Sequence, residues 1–158
     1  MKQKTDSIPL SEWSHLPKGQ GELILLVQED QLLQAMNTRV LERLGYQVLP
    51  SHNPQTGFEL WQSRRQEIKL VLTSYHFRPP HTGMDLLHRI QKLEPELPCL
   101  VVSGTWEPDA KTDLPLPPHV AYLRKPYPLA ALAHTLHGLL HERRSKALPW
   151  VPRVPSAE

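Results

Sequence analysis

Five short apolar runs divide this chain of 158 residues and limit the folds that it can adopt. Continuous runs of this kind are typical of parallel strands that are covered on both faces. The runs lie at residues 23–27, 46–49, 69–73, 100–102 and 120–123. Segments with helical spacing separate them, and this alternation predicts an α/β fold with a five-stranded parallel sheet, flanking helices and right-handed crossovers.

The segments between the runs carry helix signals. The predicted helices cover residues 32–44, 54–65, 83–93 and 129–144. Pro54 suits a first helical turn, and Gly45 is a stop signal after the first helix. That first helix is expected to bury an apolar stripe formed by Leu32, Leu33, Met36, Val40, Leu41 and Leu44. The last helix is expected to turn its leucines inward: Leu129, Leu132, Leu136, Leu139 and Leu140.

Prolines interrupt the connection between the fourth and fifth runs. They stand at Pro108, Pro115, Pro117 and Pro118. Each proline inside a helix removes a hydrogen bond and costs about 3 kcal/mol. Residues 107–113 have room for a turn or two, whereas residues 114–118 cannot form an ordinary helix. We expect a fourth helix shortened by prolines, followed by an extended segment.

Composition narrows the function classes. The formal net charge of +2 argues against a dedicated nucleic-acid-binding protein, whose basic residues are normally in large excess. The one cysteine, Cys99, lies in an apolar run and is expected to be a buried hydrophobe, so a reducing compartment is the default. The chain has neither a signal-peptide pattern nor the ~20 apolar residues of a membrane span. We expect a cytoplasmic protein without nucleic-acid or membrane partners.

The length suits one domain with a flanking segment at each end. Residues 1–20 lack periodicity and are interpreted as a linker or disordered tail. Residues 21–145 are expected to form the domain. Residues 146–158 form a proline-rich tail, for which the alternatives are disorder and an extended docking peptide.

Three groups of residues carry a resemblance to a known family. They are residues 41–48, residues 82–87, and residues 102–104 together with residues 122–126. In order and spacing they resemble a CheY-like response-regulator receiver domain, from about Glu22 to about Arg143. The lead-in at residues 16–22 is similar to the linker before the C-terminal receivers of hybrid sensor histidine kinases. The resemblance implies a sheet with strand order 2-1-3-4-5.

The resemblance also implies a pocket at the carboxyl ends of the strands. In the family, two acidic residues and a phosphoryl-accepting aspartate hold Mg²⁺ there. Here the acidic pair falls on Gln28 and Glu29, with Asp30 following, and the acceptor falls on Ser74. A serine hydroxyl cannot supply the same chemistry. Mg²⁺ binding is expected to be weak or absent, with Glu29 as the residual metal candidate; alternatively, Glu29 and Asp30 cap the first helix.

Three further positions match the pocket of the family. Lys125 matches the lysine that pairs with the phosphoryl group. Ser103 matches the hydroxyl residue that forms a hydrogen bond with that group, and Tyr122 matches the aromatic residue that changes rotamer in the switch. Without a phosphoryl group, Lys125 is expected to pair with Glu29. The alternative is a structural role for Lys125 and Pro126 in the turn from strand to helix.

These observations predict an atypical receiver, or pseudo-receiver. It would act as a phosphorylation-independent interaction module in bacterial two-component signalling, with a sensor histidine kinase or another signalling domain as its partner. Two alternatives stay open: a phospho-receiver with a substitute acceptor, for which His76, His81 and Asp85 lie nearby, and a small-ligand sensor in the vacated pocket. No nucleotide-binding or nucleophile-elbow motif occurs, so neither catalysis nor a cofactor is expected.

Three histidines share one face of the last predicted helix: His134, His137 and His141. The pair at 137 and 141 has metal-ligand spacing. No cysteine or carboxylate cluster accompanies it in sequence, and the face lies opposite the leucines, which favours a solvated surface. If these histidines are protonated together, that face becomes cationic.

Overall fold

The computed structural model describes residues 9–79, 81–104 and 119–141, in which strands and helices alternate. Strands β1 to β5 cover Leu23–Val27, Gln47–Ser51, Ile68–Ser74, Cys99–Ser103 and Val120–Arg124. Helices α1 to α5 cover Leu10–Ser14, Gln31–Arg43, Pro54–Ser63, Gly83–Leu93 and Leu129–His141. The predicted short helix and extended segment at residues 107–118 lie outside the described residues, as does the tail at residues 146–158.

The strands form one parallel sheet in the order β2-β1-β3-β4-β5, which confirms the predicted α/β fold and strand order. In β1, Val27 pairs with Ser51 of β2 and Thr73 of β3. Ser74 of β3 pairs with Val102 of β4. Because the strands are parallel, their carboxyl ends lie along one edge of the sheet.

Helices cover both faces of the central strands, which explains why β1 and β4 are almost entirely apolar. Ile24 and Leu26 point to the face that α2 and α5 cover. Leu25 and Val27 point to the opposite face, under α3 and α4. The expectation for Cys99 is confirmed, since it is fully buried. Burial, with a smaller effect from Glu94, raises the pKa of its thiol.

The structure differs from the predicted linker over residues 9–20. This segment contains α1, and Trp13 is only 4% exposed within the cluster between the sheet, α2 and α5. The guanidinium carbon of Arg43 lies 4.6 Å from the centre of the Trp13 ring. The Lys18 ammonium donates a hydrogen bond to the carbonyl of Trp13. The lead-in thus packs against the receiver-like domain through an anchored aromatic side chain.

Glycines allow the lead-in to approach the end of α2. The Gly19 N–H donates to the Leu44 carbonyl at 2.6 Å, and the Gly21 N–H donates to the Gly45 carbonyl at 2.8 Å. Gly45 has a φ of +100°, and a Cβ atom there would lie 2.6 Å from the Gly19 carbonyl oxygen. The stop signal read at Gly45 therefore also provides the space in which the lead-in packs.

The first turn of α2 has a different buried face from the predicted one. Leu32 and Leu33, expected inside, are 63% and 38% exposed. Gln34 is buried instead, at 8% exposure. Its side-chain amide donates to carbonyl groups at the ends of β1 and β2, so polar contacts set the orientation of this turn.

The last helix follows the predicted pattern over its described part. Leu132, Leu136 and Leu139 are buried, and Leu129 and Leu140 pack partly buried against the same cluster. Residues 142–144 of the predicted helix lie outside the described ranges. Among the helices that are described, none has the length and apolar character that crossing a membrane requires.

Candidate functional site

The predicted pocket residues follow the carboxyl ends of the strands, at the edge where open α/β sheets usually bind ligands. They are Gln28, Glu29 and Asp30 after β1, Ser74 at the end of β3, Ser103 at the end of β4, and Tyr122 and Lys125 in and after β5. The topology therefore brings the ends of four neighbouring strands together in one region.

Ser74, the residue expected at the acceptor position, has no activating partner among the described residues. It is the last residue of β3, and its side chain is buried, at 8% exposure. Within the described residues its Oγ has no hydrogen-bond partner. A serine hydroxyl becomes an effective nucleophile only when a neighbouring base takes its proton. Within the described part of the chain, Ser74 therefore has no neighbouring base that would activate its hydroxyl.

The first position of the expected acidic pair lies in a neutral amide network. Gln28 is 5% exposed, and its backbone N–H donates to the Ser51 carbonyl at 2.9 Å. The Gln34 side chain donates to the carbonyl of Gln28 at 3.2 Å and to that of Ser51 at 2.8 Å. The ends of β1 and β2 are thus joined to α2 by hydrogen bonds that carry no net charge. Gln34 and Ser51 were missed from sequence; the one available signal was a glutamine inside an apolar helical segment.

The two carboxylates that remain after β1 already have partners. Asp30 is the N-cap of α2, and its Oδ1 accepts a hydrogen bond from the Leu33 N–H at 3.0 Å. Such a cap stabilises a helix by about 1 kcal/mol. The Glu29 Oε2 lies 3.8 Å from the Arg78 Nε in a largely exposed ion pair. Of the two predicted capping carboxylates, Asp30 caps the helix and Glu29 faces Arg78, a residue not foreseen in the site.

Lys125 does not form the expected ion pair with Glu29 among the described residues. Burial lowers the pKa of Lys125, and the carboxylate of Asp30 opposes this shift. The Lys125 backbone N–H donates to the Ser103 carbonyl at 2.8 Å, which joins the ends of β4 and β5. The peptide bond that follows, Lys125–Pro126, is cis. These backbone contacts support the structural alternative for the turn.

The remaining candidates lie close to the sheet. Ser103 and Tyr122 are buried, at 3% and 7% exposure, and Tyr122 packs in the cluster under α3 and α4. Asp85 forms a capping box with Thr82: its Oδ2 accepts from the Thr82 N–H at 3.0 Å, and its own N–H donates to the Thr82 hydroxyl at 3.3 Å. His76 makes an edge-on contact with Tyr75, with ring centres 4.9 Å apart.

The donor set does not fit Mg²⁺. This small, hard cation is usually held by one or two carboxylates in near-octahedral geometry. Ser74 offers a buried hydroxyl and Gln28 an uncharged amide. Of the two carboxylates, Asp30 uses one oxygen in the α2 cap, and Glu29 forms an exposed ion pair with Arg78. No step of a phosphoryl-transfer reaction is therefore assigned to this site.

Comparisons with known proteins identify the family to which this chain is similar. A family model described as the response regulator receiver domain matches residues 24–137. The sensor kinase CckA of Brucella abortus (strain 2308) is 26% identical over 120 residues, which make up 76% of this chain and 13% of that kinase. The response regulator receiver protein CpdR of the same organism is 26% identical over 117 residues, which make up 74% of this chain and 95% of CpdR.

Solved structures show the same fold. A response regulator receiver domain protein from Clostridium thermocellum superposes with a TM-score of 0.69 at 21% identity, covering 77% of this chain and 96% of that chain. The receiver domain of the hybrid histidine kinase CckA gives a TM-score of 0.61 at 21% identity, and the superposition covers 75% of this chain and 99% of that domain. With the family model matching most of its length, the chain belongs to the response regulator receiver family of two-component signalling.

Proposed function

We propose that this receiver is a pseudo-receiver that works without phosphorylation and acts as a protein-interaction module. The observation that carries the proposal is the state of the acceptor position. Ser74 replaces the carboxylate there with a buried hydroxyl that has no hydrogen-bond partner in the described part of the chain. Because an aspartyl phosphate requires a carboxylate nucleophile, the site lacks the group that would accept the phosphoryl group.

The contacts of the neighbouring carboxylates argue against a substitute acceptor. Asp30 and Asp85 each accept a backbone N–H at the start of a helix, and Glu29 faces Arg78. Phosphorylation of Asp30 or Asp85 would therefore have to take place on a carboxylate that already caps a helix, a contact that stabilises the helix by about 1 kcal/mol. In this proposal, these carboxylates serve the fold of the site and not its chemistry.

The proposed partner is a sensor histidine kinase or another signalling domain. CckA, one of the relatives, is a sensor kinase, and CpdR is a receiver protein that is matched over 95% of its length. The unit that we propose to bind the partner is the domain at residues 21–145, together with the lead-in at residues 9–20 that packs against it. Its binding surface would be constitutive, because no phosphoryl group is available to change it.

A magnesium titration tests the proposal. At physiological ionic strength, we expect isothermal calorimetry to show no saturable Mg²⁺ binding in the millimolar range. The physical reason is the loss of two expected negative charges, at Gln28 and Ser74, from a site built for a hard cation. A single saturable site under these conditions would contradict the proposal, because it would show that the remaining oxygens still form a working metal centre.

A further inference from the structure

An exposed apolar surface lies on the first half of α2. Of the three large apolar side chains that are exposed in the described part of the chain, two are neighbours in the first turn of this helix: Leu32, at 63% exposure, and Leu33, at 38%. One turn further along, Ala35 is exposed and Met36 is half-buried. These four residues form the α2 face. Contiguous apolar surface, unlike single scattered side chains, marks contact sites.

Hydrogen bonds hold the α2 face towards solvent. The Gln34 side-chain amide donates to the carbonyl of Gln28 at 3.2 Å and to that of Ser51 at 2.8 Å. Gln34 therefore takes the buried position in this turn, and Leu32 and Leu33 point away from the sheet. Rotating the helix to bury the leucines would break both hydrogen bonds, each of which contributes about 1 kcal/mol. The fold thus keeps the leucines outside, and contact with another molecule is the way to bury them.

The distribution of charge along α2 indicates which molecule fits the face. Residues 31–38 contain no Asp, Glu, Lys, Arg or His, whereas Asp30 precedes this stretch and Arg39 follows it. The core of a protein interface is normally depleted in charged residues and surrounded by a polar rim. If two copies of α2 pack antiparallel, the end that carries Asp30 in one copy lies beside the end that carries Arg39 in the other. Opposite charges then meet at both ends of the contact, so a second copy of the chain is complementary to the face.

We propose that this chain forms a symmetric dimer in which the α2 faces of two copies pack antiparallel. A two-fold axis brings residues close to their own counterparts, where like charges would repel each other, and the uncharged stretch avoids this repulsion. Ala35 lies at the centre of the face, and its small side chain lets the two helices approach to about 8–10 Å. The dimer goes beyond the proposed pseudo-receiver function and does not depend on the acceptor position.

The dimer is expected to be weak. Each copy contributes about two helical turns, so the buried area should fall below the ~1,200 Å² at which stable interfaces begin. We therefore expect a dissociation constant on the order of 10–100 μM. Sedimentation velocity of the full chain at increasing protein concentration should show the wild type passing from monomer to dimer across this range.

A matched pair of variants locates the contact. We expect L32Q to raise the dissociation constant at least about tenfold, because Leu32 has the most exposed apolar side chain of the face. The control is L93Q, which changes a leucine that is 49% exposed at the end of α4, outside the face, and should dimerise like the wild type. Both side chains are exposed, and circular dichroism should show that both variants keep the wild-type fold.

An introduced cysteine tests the symmetry of the dimer. Cys99 is fully buried, so a cysteine placed on the surface is the one that oxidation reaches. A35C lies close to the proposed axis, where the two copies of its Cα atom come within the roughly 4.4–6.8 Å that a disulfide spans. Mild oxidation should join A35C into a covalent dimer and should join L93C, outside the face, to a far smaller extent.

Three results would overturn the dimer. They are a wild-type chain that stays monomeric at ten times the expected dissociation constant, equal weakening by L32Q and L93Q, and equal cross-linking of A35C and L93C. A monomeric wild type would leave a different protein as the molecule that covers the α2 face. None of these results bears on the pseudo-receiver proposal, which the magnesium titration tests separately.

Discussion

Replacing Trp13 with alanine is expected to reduce the free energy of unfolding by about 3 to 5 kcal/mol, the usual range for a buried tryptophan. The side chain is 4% exposed, and it fills the cluster formed by β-sheet residues, α2 and α5. It also carries the contact with Arg43 on its ring face. The loss should lie near the lower end of the range, because the buried Trp13 Nε1–H has no hydrogen-bond partner among the described residues, which destabilises the folded state.

Two further variants make this experiment specific. Trp13→Phe keeps most of the apolar contact and removes the unpaired N–H, so it should be much less destabilising than Trp13→Ala. Leu32→Ala, at a side chain that is 63% exposed, should change stability by no more than about 0.5 kcal/mol. Urea denaturation followed by circular dichroism measures all of them. A loss below about 1 kcal/mol for Trp13→Ala would mean that the lead-in is the loosely attached linker expected from sequence.

Restoring carboxylates at two positions should convert the site into a working receiver pocket. We expect the double variant Q28D/S74D to gain saturable Mg²⁺ binding and to become phosphorylated by acetyl phosphate, neither of which we expect of the wild-type chain. The reason is that the ends of β1 and β3 would again supply charged oxygens for the cation and a nucleophile for the phosphoryl group. Lys125 lies beside this edge, and burial lowers its pKa. In the double variant it would gain an anionic partner.

Matched controls separate charge from shape. Q28N/S74N changes the same two side chains in size but adds no charge, and it should bind no Mg²⁺. The single variant S74D should bind Mg²⁺ more weakly than the double variant, because only one carboxylate is restored. Calorimetry measures the metal, and phosphate-affinity electrophoresis measures the adduct. If Q28D/S74D gains neither property, two carboxylates are not sufficient to restore the pocket, and the hydrogen bonds of Gln34 at the ends of β1 and β2 are the next contacts to change.

The strands and most helices were predictable because the residues that they bury recur at short, regular spacings in the sequence. A strand that is covered on both faces must be apolar throughout, and β1, β3 and β4 carry that signal directly. Observed strand ends differ from the predicted ends by one or two residues, as for β2, which begins at Gln47 and ends at Ser51. Hydrogen bonding to the neighbouring strand sets these ends, and a pattern of apolar residues does not report it.

The lead-in was missed because its attachment depends on residues far away in sequence. α1 spans only Leu10–Ser14, too short for a periodic pattern, and one tryptophan supplies its buried contact. The burial of that tryptophan depends on the close packing of the lead-in, in which Gly19 lies against both Gly45 and the ring of Tyr46. Neither feature is visible until α2 and β2 have been placed.

Within the candidate site, residue identities were predictable and their pairings were not. The amide at position 28 and the hydroxyl at position 74 are read directly from the chain. The partner of Glu29 depends on the position of the loop that bears Arg78, which local sequence patterns do not specify. The burial of Gln34 in place of Leu32 was also not predictable from local sequence. It depends on hydrogen bonds from the Gln34 side-chain amide to carbonyl groups at the ends of two separate strands.

The most direct test of the account is intact-mass analysis of the wild-type chain after incubation with an autophosphorylated sensor histidine kinase and Mg²⁺. The variant Q28D/S74D serves as the positive control in the same reaction. We expect the mass of the wild-type chain to stay unchanged and the mass of the variant to increase by one phosphoryl group. A labile phosphoryl adduct on the wild-type chain would contradict it, since the chain would then have an acceptor that does not depend on a carboxylate at position 74.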